Sequence, residues 1–466
     1  VNDLDVAALR KTDVLAIETL RTRLNGGLIL PDDPRYDASR RVWNGMVDKK
    51  PAMIARCGKT SDVMEAIKLA TSRNVVTSVR AGGHNIAGCS VCDDGLVIDL
   101  SHMKRIEIDA TRRAARAEAG LTLGEFDRAT QAQGFATTMG VNSDTGIAGL
   151  TLGGGFGKLA RRFGLTCDNL IAADVVTADG QLRRASPHDD ADLFWAIRGG
   201  GGNFGVVTSF EYRLHPVGPI VLAGSLAYDF SQAREAMRFY SGFSRSAPDE
   251  LSLDAALATD PAGERWFRVS ACYVGPVEKG ERALEPLRKF GPPRFDAIAP
   301  IPYLQVQSAN DSTFPSGRRY YWKAQFLREL ADGAIDTLLA EYVKAPAASS
   351  LLVLQHIGGA VARVSNSATA YGNRDALYDC FPISIWNDPG EDERHIEWAR
   401  TTWRAMRPFS TGGVYVNNLG DEGDERIVAA YGENYPRLLT LKRKYDPTNL
   451  FRSNQNIARS TPTKRR

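Results

Sequence analysis

Six cysteines in 466 residues (Cys57, Cys89, Cys92, Cys167, Cys272 and Cys380) are too few and too scattered to staple a fold with disulfides, which points to a reducing compartment such as the cytoplasm. Cys89-Ser-Val-Cys92 has no second ligand pair to complete a zinc site, so no metal is expected. No apolar run is long enough to span a bilayer, and the first residues lack the basic-then-apolar layout of a secretion signal; a soluble chain with no membrane partner is the expectation. An excess of charge of one sign is missing too. The 58 Lys and Arg side chains nearly cancel 55 Asp and Glu, leaving +3 and no basic half for nucleic acid, while Lys464-Arg465-Arg466 reads as a solvated tail. Short repeats and low-complexity tracts are absent.

What is present is a globular composition, 43% hydrophobic and 24% charged. A chain of this length exceeds one ordinary core, so two joined domains are expected. Apolar positions at helical spacing run over residues 3–24 and stop at Asn25-Gly26-Gly27, and residues 61–73 read as a second helix. Residues 75–79 and 96–100 read as strands, and the alternation of such runs up to about Pro216 makes this half α+β. After Pro216–Pro219 longer amphipathic helices (230–243, 331–342) separate strand-like runs at 266–274, 320–326 and 351–357. Near Gly412 the character of the first half returns. The economical division is one domain in two pieces, 1–216 and 406–466, with 217–405 inserted as a second domain.

Glycine is concentrated where it carries chemistry. Arg80-Ala81-Gly82-Gly83-His84-Asn85-Ile86-Ala87-Gly88 follows a strand, and its glycines let successive backbone N–H groups point into one concavity. Such a nest suits a pyrophosphate. A second loop runs from Gly146 through Gly149, Gly153, Gly154 and Gly155 to Gly157, and a third from Gly199 to Gly205. No loop ends in Gly-Lys-Ser/Thr, and Gly153-x-Gly155-x-Gly157 does not match the six-residue dinucleotide fingerprint. Three such loops in one domain point to a nucleotide cofactor held by another geometry.

Together with Gly164-Leu-Thr-Cys-Asp-Asn169, the run Asp192 to Val207, and the ending Tyr445-Asp-Pro-Thr-Asn-Leu-Phe451 followed by Asn454-Gln-Asn-Ile457, these loops resemble the FAD-linked oxidases of the vanillyl-alcohol-oxidase type, with a PCMH-type FAD-binding domain, in their berberine-bridge-enzyme-like branch. The resemblance covers nearly the whole chain. It implies an α+β fold: a two-part FAD-binding domain and an inserted substrate domain built on an antiparallel sheet covered by helices. It further implies FAD contacts from Arg80, Ala81, Gly82, Gly83, His84, Asn85 and Gly88, then Gly140, Thr145, Gly146, Gly149, Leu150, Gly153, Gly154 and Gly157, and from Asn169, Gly202, Asn203, Gly205, Val207, Tyr415, Asn417 and Asn454. By position, His84 is the residue joined covalently to the flavin 8α-methyl group. Chemistry supports that role, since a neutral imidazole adds to the electrophilic methide form of the ring and the link favours hydride acceptance. Many relatives make a second link from a cysteine near the start of the second loop; Asn142 stands there, so one link is expected and Cys167 does not substitute. The position that gates oxygen in the family falls at Thr145.

The catalytic base is the point of departure. Sugar-oxidising relatives use a tyrosinate in Tyr-x-Asn-Tyr, where this chain reads Tyr415-Val416-Asn417-Asn418, and an amide accepts no proton near neutral pH. Four other side chains are candidates. Gln355 and His356 adjoin on a β-rich run, so only one faces the flavin, and His356 is favoured because imidazole titrates near the working pH. Tyr321 and Lys323 share a face of another strand, where an ammonium lowers a neighbouring tyrosine's pKa. Trp266, Tyr303, Trp322, Trp386 and Trp398 are available as substrate walls or as core. Arg40-Arg-Val-Trp-Asn-Gly45, Gly358–Val364 and Ala370–Arg374 look closest to bacterial members, among them an amine oxidase and a polyketide oxygenase. The expected function is an oxidase that moves hydride from a small alcohol, amine or polyketide-like aromatic to FAD and then reduces O2 to hydrogen peroxide; an oxygenase of natural-product biosynthesis and a carbohydrate oxidase are the alternatives. The residues leave the substrate, the pathway and the oligomeric state open.

Overall fold

The structure, a computed structural model, describes residues 14–458. The helix expected over 3–24 is seen as Val14–Arg23; its first residues and the basic tail at 464–466 lie outside the described residues. Four strands form the first sheet: β1 (Leu28–Ile29), β2 (Met53–Arg56), β3 (Thr77–Arg80) and β4 (Leu96–Asp99), in the order β1-β2-β4-β3 with β2, β4 and β3 parallel. The central β4 is buried throughout, as a parallel strand covered on both faces must be. Between β2 and β3 runs the helix Thr60–Arg73, which ends at Asn74 in the left-handed conformation. Asp62 fixes its start by accepting the Gly58 N–H at 2.9 Å.

A second, antiparallel sheet follows. In chain order come β5 (Ile106–Asp109), β6 (Ala114–Glu118), the short β7 (Phe135–Ala136), β8 (Leu170–Val176), β9 (Leu182–Ala185), β10 (Val206–Arg213) and β11 (His215–Pro216). Five of them pair as β5-β6-β10-β8-β9, and β7 pairs with β11 apart from these.

The remaining strands make one antiparallel sheet: β12 (Ile220–Asp229), β13 (Leu251–Thr259), β14 (Arg265–Tyr273), β15 (Phe295–Asp296), β16 (Ala299–Pro302), β17 (Arg319–Trp322), β18 (Gln325–Leu327), β19 (Leu351–His356) and β20 (Tyr378–Trp386). Its main path is β15-β12-β14-β13-β19-β20-β17, with β16 on β12 and β18 on β20. The strand expected over 320–326 is therefore two, interrupted at Lys323-Ala324. The register is continuous across the gap, which falls opposite Pro382 of β20, a residue with no N–H for the ladder. Helices Ala233–Ser246, Val277–Lys289, Asp332–Tyr342 and Asp392–Met406 cover one face, packing Met237, Tyr240, Leu284, Leu338 and Trp398 on Leu253, Leu257, Phe267, Val269 and Leu354. With a period of two, the intervening side chains of each strand emerge on the other face.

The C-terminal segment returns to the glycine loop at 199–205. Ile457 N donates to Asn203 Oδ1 at 3.0 Å, and Asn203 Nδ2 donates to the Gln455 carbonyl at 3.1 Å. Lys442, on the helix Tyr435–Tyr445, lies under this junction and donates to Asp446 at 2.6 Å, to the Asn203 carbonyl at 3.0 Å and to the Phe451 carbonyl at 2.9 Å. Both members of the pair are buried, and Asp446 also accepts the Leu450 and Phe451 N–H groups. Lys442→Met leaves that carboxylate unpaired; a loss of about 3–5 kcal/mol is expected, read as a lowered melting temperature and denaturant midpoint.

Candidate active site

The uncovered face of the nine-stranded sheet and the glycine loops of the other two sheets enclose a cavity of about 530 Å³. The loops meet backbone to backbone. A Cβ on Gly82 would lie 2.3 Å from the Gly146 nitrogen, and one on Gly146 would lie 2.5 Å from the Gly82 nitrogen. Gly153 gives its space to the Asn417 side chain, which donates to the Leu150 carbonyl at 3.1 Å and to the Tyr415 hydroxyl at 2.7 Å. That hydroxyl also accepts the Gly155 N–H at 3.0 Å, and burial pushes its pKa up, so it is a phenol and not a phenolate.

Of the expected cofactor contacts, Ala81, Gly82, Gly83, His84, Asn85, Gly140, Thr145, Gly146, Gly149, Leu150, Gly202, Gly205, Val207, Tyr415, Asn417 and Asn454 line the cavity. Seven others stand behind it. Arg80 pairs with Asp99 at 2.6 Å at the ends of β3 and β4. Asn169 holds the Phe163 and Leu165 carbonyls, and Asn203 ties the third loop to the C-terminal segment. Gly88, Gly153, Gly154 and Gly157 permit close packing: a Cβ would come within 2.6 Å of Val47 at Gly88, of Tyr371 at Gly154, and within 2.2 Å of the Met139 carbonyl at Gly157. These residues shape the walls and do not form them.

His84 is fixed from two sides. Its ring stacks on Trp43 with centroids 4.1 Å apart, and its Nε2 lies 3.1 Å from Asp144 Oδ1. Trp43 in turn stacks on Tyr320 at 3.8 Å, and Asn44 bridges the Ile86 and Tyr320 backbones, so the Arg40–Gly45 motif couples the His84 loop to β17.

The expected catalytic group is corrected by the strand faces. His356 does not line the cavity; it is buried on the helix-covered side, with Nε2 3.0 Å from Arg161 Nη1 and its ring beside Tyr378. Burial and the Arg161 charge hold its pKa well below the usual imidazole range, so it stays neutral. Gln355 faces the cavity instead. Tyr321 and Lys323 do share a face, but the one away from the cavity: the Tyr321 hydroxyl accepts from Arg400 at 3.2 Å, and Lys323 pairs with Glu422 and lies 4.3 Å over the Trp403 ring. Trp322 between them lines the cavity. Of the other aromatics considered, Trp266, Tyr303, Trp386 and Trp398 do not.

A residue not anticipated from sequence, Asp379, lies in the same register row as Gln355. Cavity-lining Asn418 donates to its Oδ2 at 2.7 Å, while its Oδ1 is buried without a partner. Burial raises its pKa to about 7 against the Asn418 hydrogen bond and the Arg426 charge. Its signal was present as one carboxylate in the otherwise uncharged run Tyr378–Trp386. The Cys89 thiol lines the cavity and burial lifts it to about 11, whereas Cys167 is buried elsewhere. Asn142 stands at the wall with its Oδ1 unpartnered.

Residues 51–186 match the family model described as FAD binding domain, and residues 414–458 the one described as berberine and berberine like. An FAD-linked oxidoreductase of Dictyostelium discoideum is 34% identical over 419 residues, covering 89% of this chain and 90% of that one. The chain belongs to the FAD-linked oxidoreductases. Also similar is the (R)-6-hydroxynicotine oxidase of Paenarthrobacter nicotinovorans, 31% identical over 93% of this chain and 97% of the other. Among solved structures, 6-hydroxy-D-nicotine oxidase from Arthrobacter nicotinovorans superposes with a TM-score of 0.87 at 29% identity, over 93% of this chain and 98% of that one. A chitooligosaccharide oxidase shares the fold, with a TM-score of 0.84 at 23% identity over 95% and 99% of the two chains.

As an FAD-linked oxidoreductase, the protein needs room for a dinucleotide, and the cavity walls supply it. A Cβ at Gly149 or Gly202 would meet no atom within 4 Å beyond its chain neighbours and its own helical turn, although both line the cavity. Ser90, Asn142 and Asn454 each present a buried side-chain oxygen without a partner along the same walls. Gly149→Val tests this fit: the side chain enters space the protein itself does not use, so an unchanged melting temperature of the apoprotein is expected together with loss of flavin absorbance from the purified protein.

Proposed function

We propose that this enzyme is an oxidase of a small organic molecule, holding FAD in the cavity through a single covalent bond from His84, with O2 as the final electron acceptor. The observation that carries this reading is the pairing of a glycine-built cavity wall with room for a dinucleotide and, in the facing sheet behind cavity-lining Asn418, a buried carboxylate, Asp379, whose pKa burial raises to about 7. Bound FAD supplies the hydride acceptor, and its reoxidation by O2 gives hydrogen peroxide. The chain's own groups do the rest. The three-segment division at 216 and 405 belongs to the same proposal, since it puts the glycine loops and the facing sheet on separate units.

Asp379, which stands behind cavity-lining Asn418, is the base that receives the proton of the substrate hydroxyl or amine as the C–H bond breaks; Asn418 steadies its Oδ2, and its Oδ1 has no partner among the described residues. Asn418 stands where sugar-oxidising relatives carry a tyrosine, and the carboxylate behind it restores a base of suitable pKa. Tyr415, kept protonated by burial, donates a hydrogen bond into the cavity while accepting from Gly155 and Asn417. Gln355 offers its amide to the substrate. The wall of Val353, Phe381, Ile383 and Trp322 suits an aromatic or aliphatic body better than an oligosaccharide and excludes water from the reacting bond.

His84 is a competent nucleophile because its ring is already oriented, stacked on Trp43, with Asp144 to take up the charge that develops on the imidazole. Acid-precipitated wild-type protein should retain its yellow chromophore in the pellet, and His84→Ala should release all of it to the supernatant.

A base must be ionised to act, so the rate of anaerobic flavin reduction should rise with pH through about 7 and level off above it. Asp379→Asn should slow that reduction about 10²-fold or more with flavin content unchanged and abolish the rising limb; full activity in this variant would remove Asp379 from the mechanism. His356→Ala, in contrast, should keep its turnover.

A further inference from the structure

Arg268 carries a charge that no described residue meets with a hydrogen bond or ion pair, Asp254 acting on it only through space. It lies on β14 with its side chain at the cavity wall, its Nε is buried without a partner, and its guanidinium makes no hydrogen bond or ion pair with any described residue. A guanidinium does not give up its proton inside a protein, so this is a standing positive charge in a largely desolvated place. The nearby carboxylate is engaged elsewhere. Asp254 Oδ2 is 2.5 Å from Lys158 Nζ, and its Oδ1 accepts the His356 N–H at 2.9 Å.

The surroundings of Arg268 define what else the site accepts. Across the sheet its register row continues through Ala256, Val353 and Phe381, and a further row places Leu351, Ile383 and Trp322 together, so the cation ends an apolar floor. β14 and β20 are separated by β13 and β19, and Asp379 lies one same-face position along from the Arg268 row, which puts the two about 16 Å apart at Cα with the usual strand spacing and rise. The glycine nests suited to a pyrophosphate are on other elements, at Gly82–Gly83 and Gly201–Gly205.

We propose that Arg268 determines specificity by binding a carboxylate, and that the substrate is an amphipathic organic acid whose apolar or aromatic body separates the carboxylate from the group that is oxidised. A 2-hydroxy acid, with the two adjacent, does not span the two sites. Guanidinium and carboxylate form two parallel hydrogen bonds, a geometry that an ammonium or an amide does not reproduce. This inference rests on the oxidase reading above for the role of Asp379, and on the cavity alone for the role of Arg268.

The test uses purified holoprotein, 2-naphthoate and its neutral isostere 2-naphthamide, with two readouts: the shift in melting temperature and the perturbation of the flavin absorption band. Wild type should bind the carboxylate at least 10-fold more tightly than the amide. Arg268→Gln should erase that preference, and Arg268→Lys should restore only part of it. Equal binding of the two ligands by wild type, no response to the carboxylate, or a preference that survives in Arg268→Gln would overturn the proposal, as would loss of flavin from Arg268→Gln, which would assign the residue to the cofactor. A colourless protein that still stabilises with the carboxylate alone would keep Arg268 in place and remove the flavin reading instead.

Discussion

The contact between Gly82 and Gly146 is the constraint on which the cavity depends. At this point two loops from different sheets share the space of side chains that neither has, with backbone nitrogen facing the missing Cβ on both sides. The turn after β3 is thereby locked to the start of the helix Ile147–Leu152, and His84 and Asp144 are brought within hydrogen-bond distance although 60 residues separate them. An alanine at either position would push the loops apart and open the wall that Ala81, Thr145 and Gly149 complete.

The opposite wall follows from a different rule. A sheet with helices on one side commits alternate side chains to a core and releases the rest. Leu253, Leu257, Val269 and Leu354 go to the helices; Asp254, Ala256, Arg268 and Gln355 are left facing the loops. The polar groups on this face thus sit on rigid strands, which fixes their spacing far better than loops would. The Arg40–Gly45 motif joins the two walls, since Asn44 and Trp43 bind β17 and the His84 loop together.

Buried polar groups were the least legible part of the site. Asp379 sits in a strand whose every residue is buried, and its functional interest comes from what is near it: an amide, a distant guanidinium and no water-exposed surface. Sequence chemistry favoured His356 over Gln355 because imidazole titrates usefully, yet a one-residue offset on a strand reverses the face, and burial beside Arg161 leaves that imidazole neutral. Tyr321 and Lys323 were correctly paired by the two-residue period and still lay on the wrong side, because the period states which residues share a face and says nothing about which face is covered.

The sequence by itself determined the family, the α+β class, the position of several long helices and of a minority of the strands, and the three glycine loops, because backbone conformation at glycine and periodic burial are local properties that a short stretch of chain expresses. Only the tertiary structure decided that Gln355 and not its neighbour meets the cavity, that Asn418 has a carboxylate behind it, and that Arg268 stands without a partner. Each of those facts depends on a residue from another strand or loop, often more than a hundred positions away, and on the dielectric that packing creates around it.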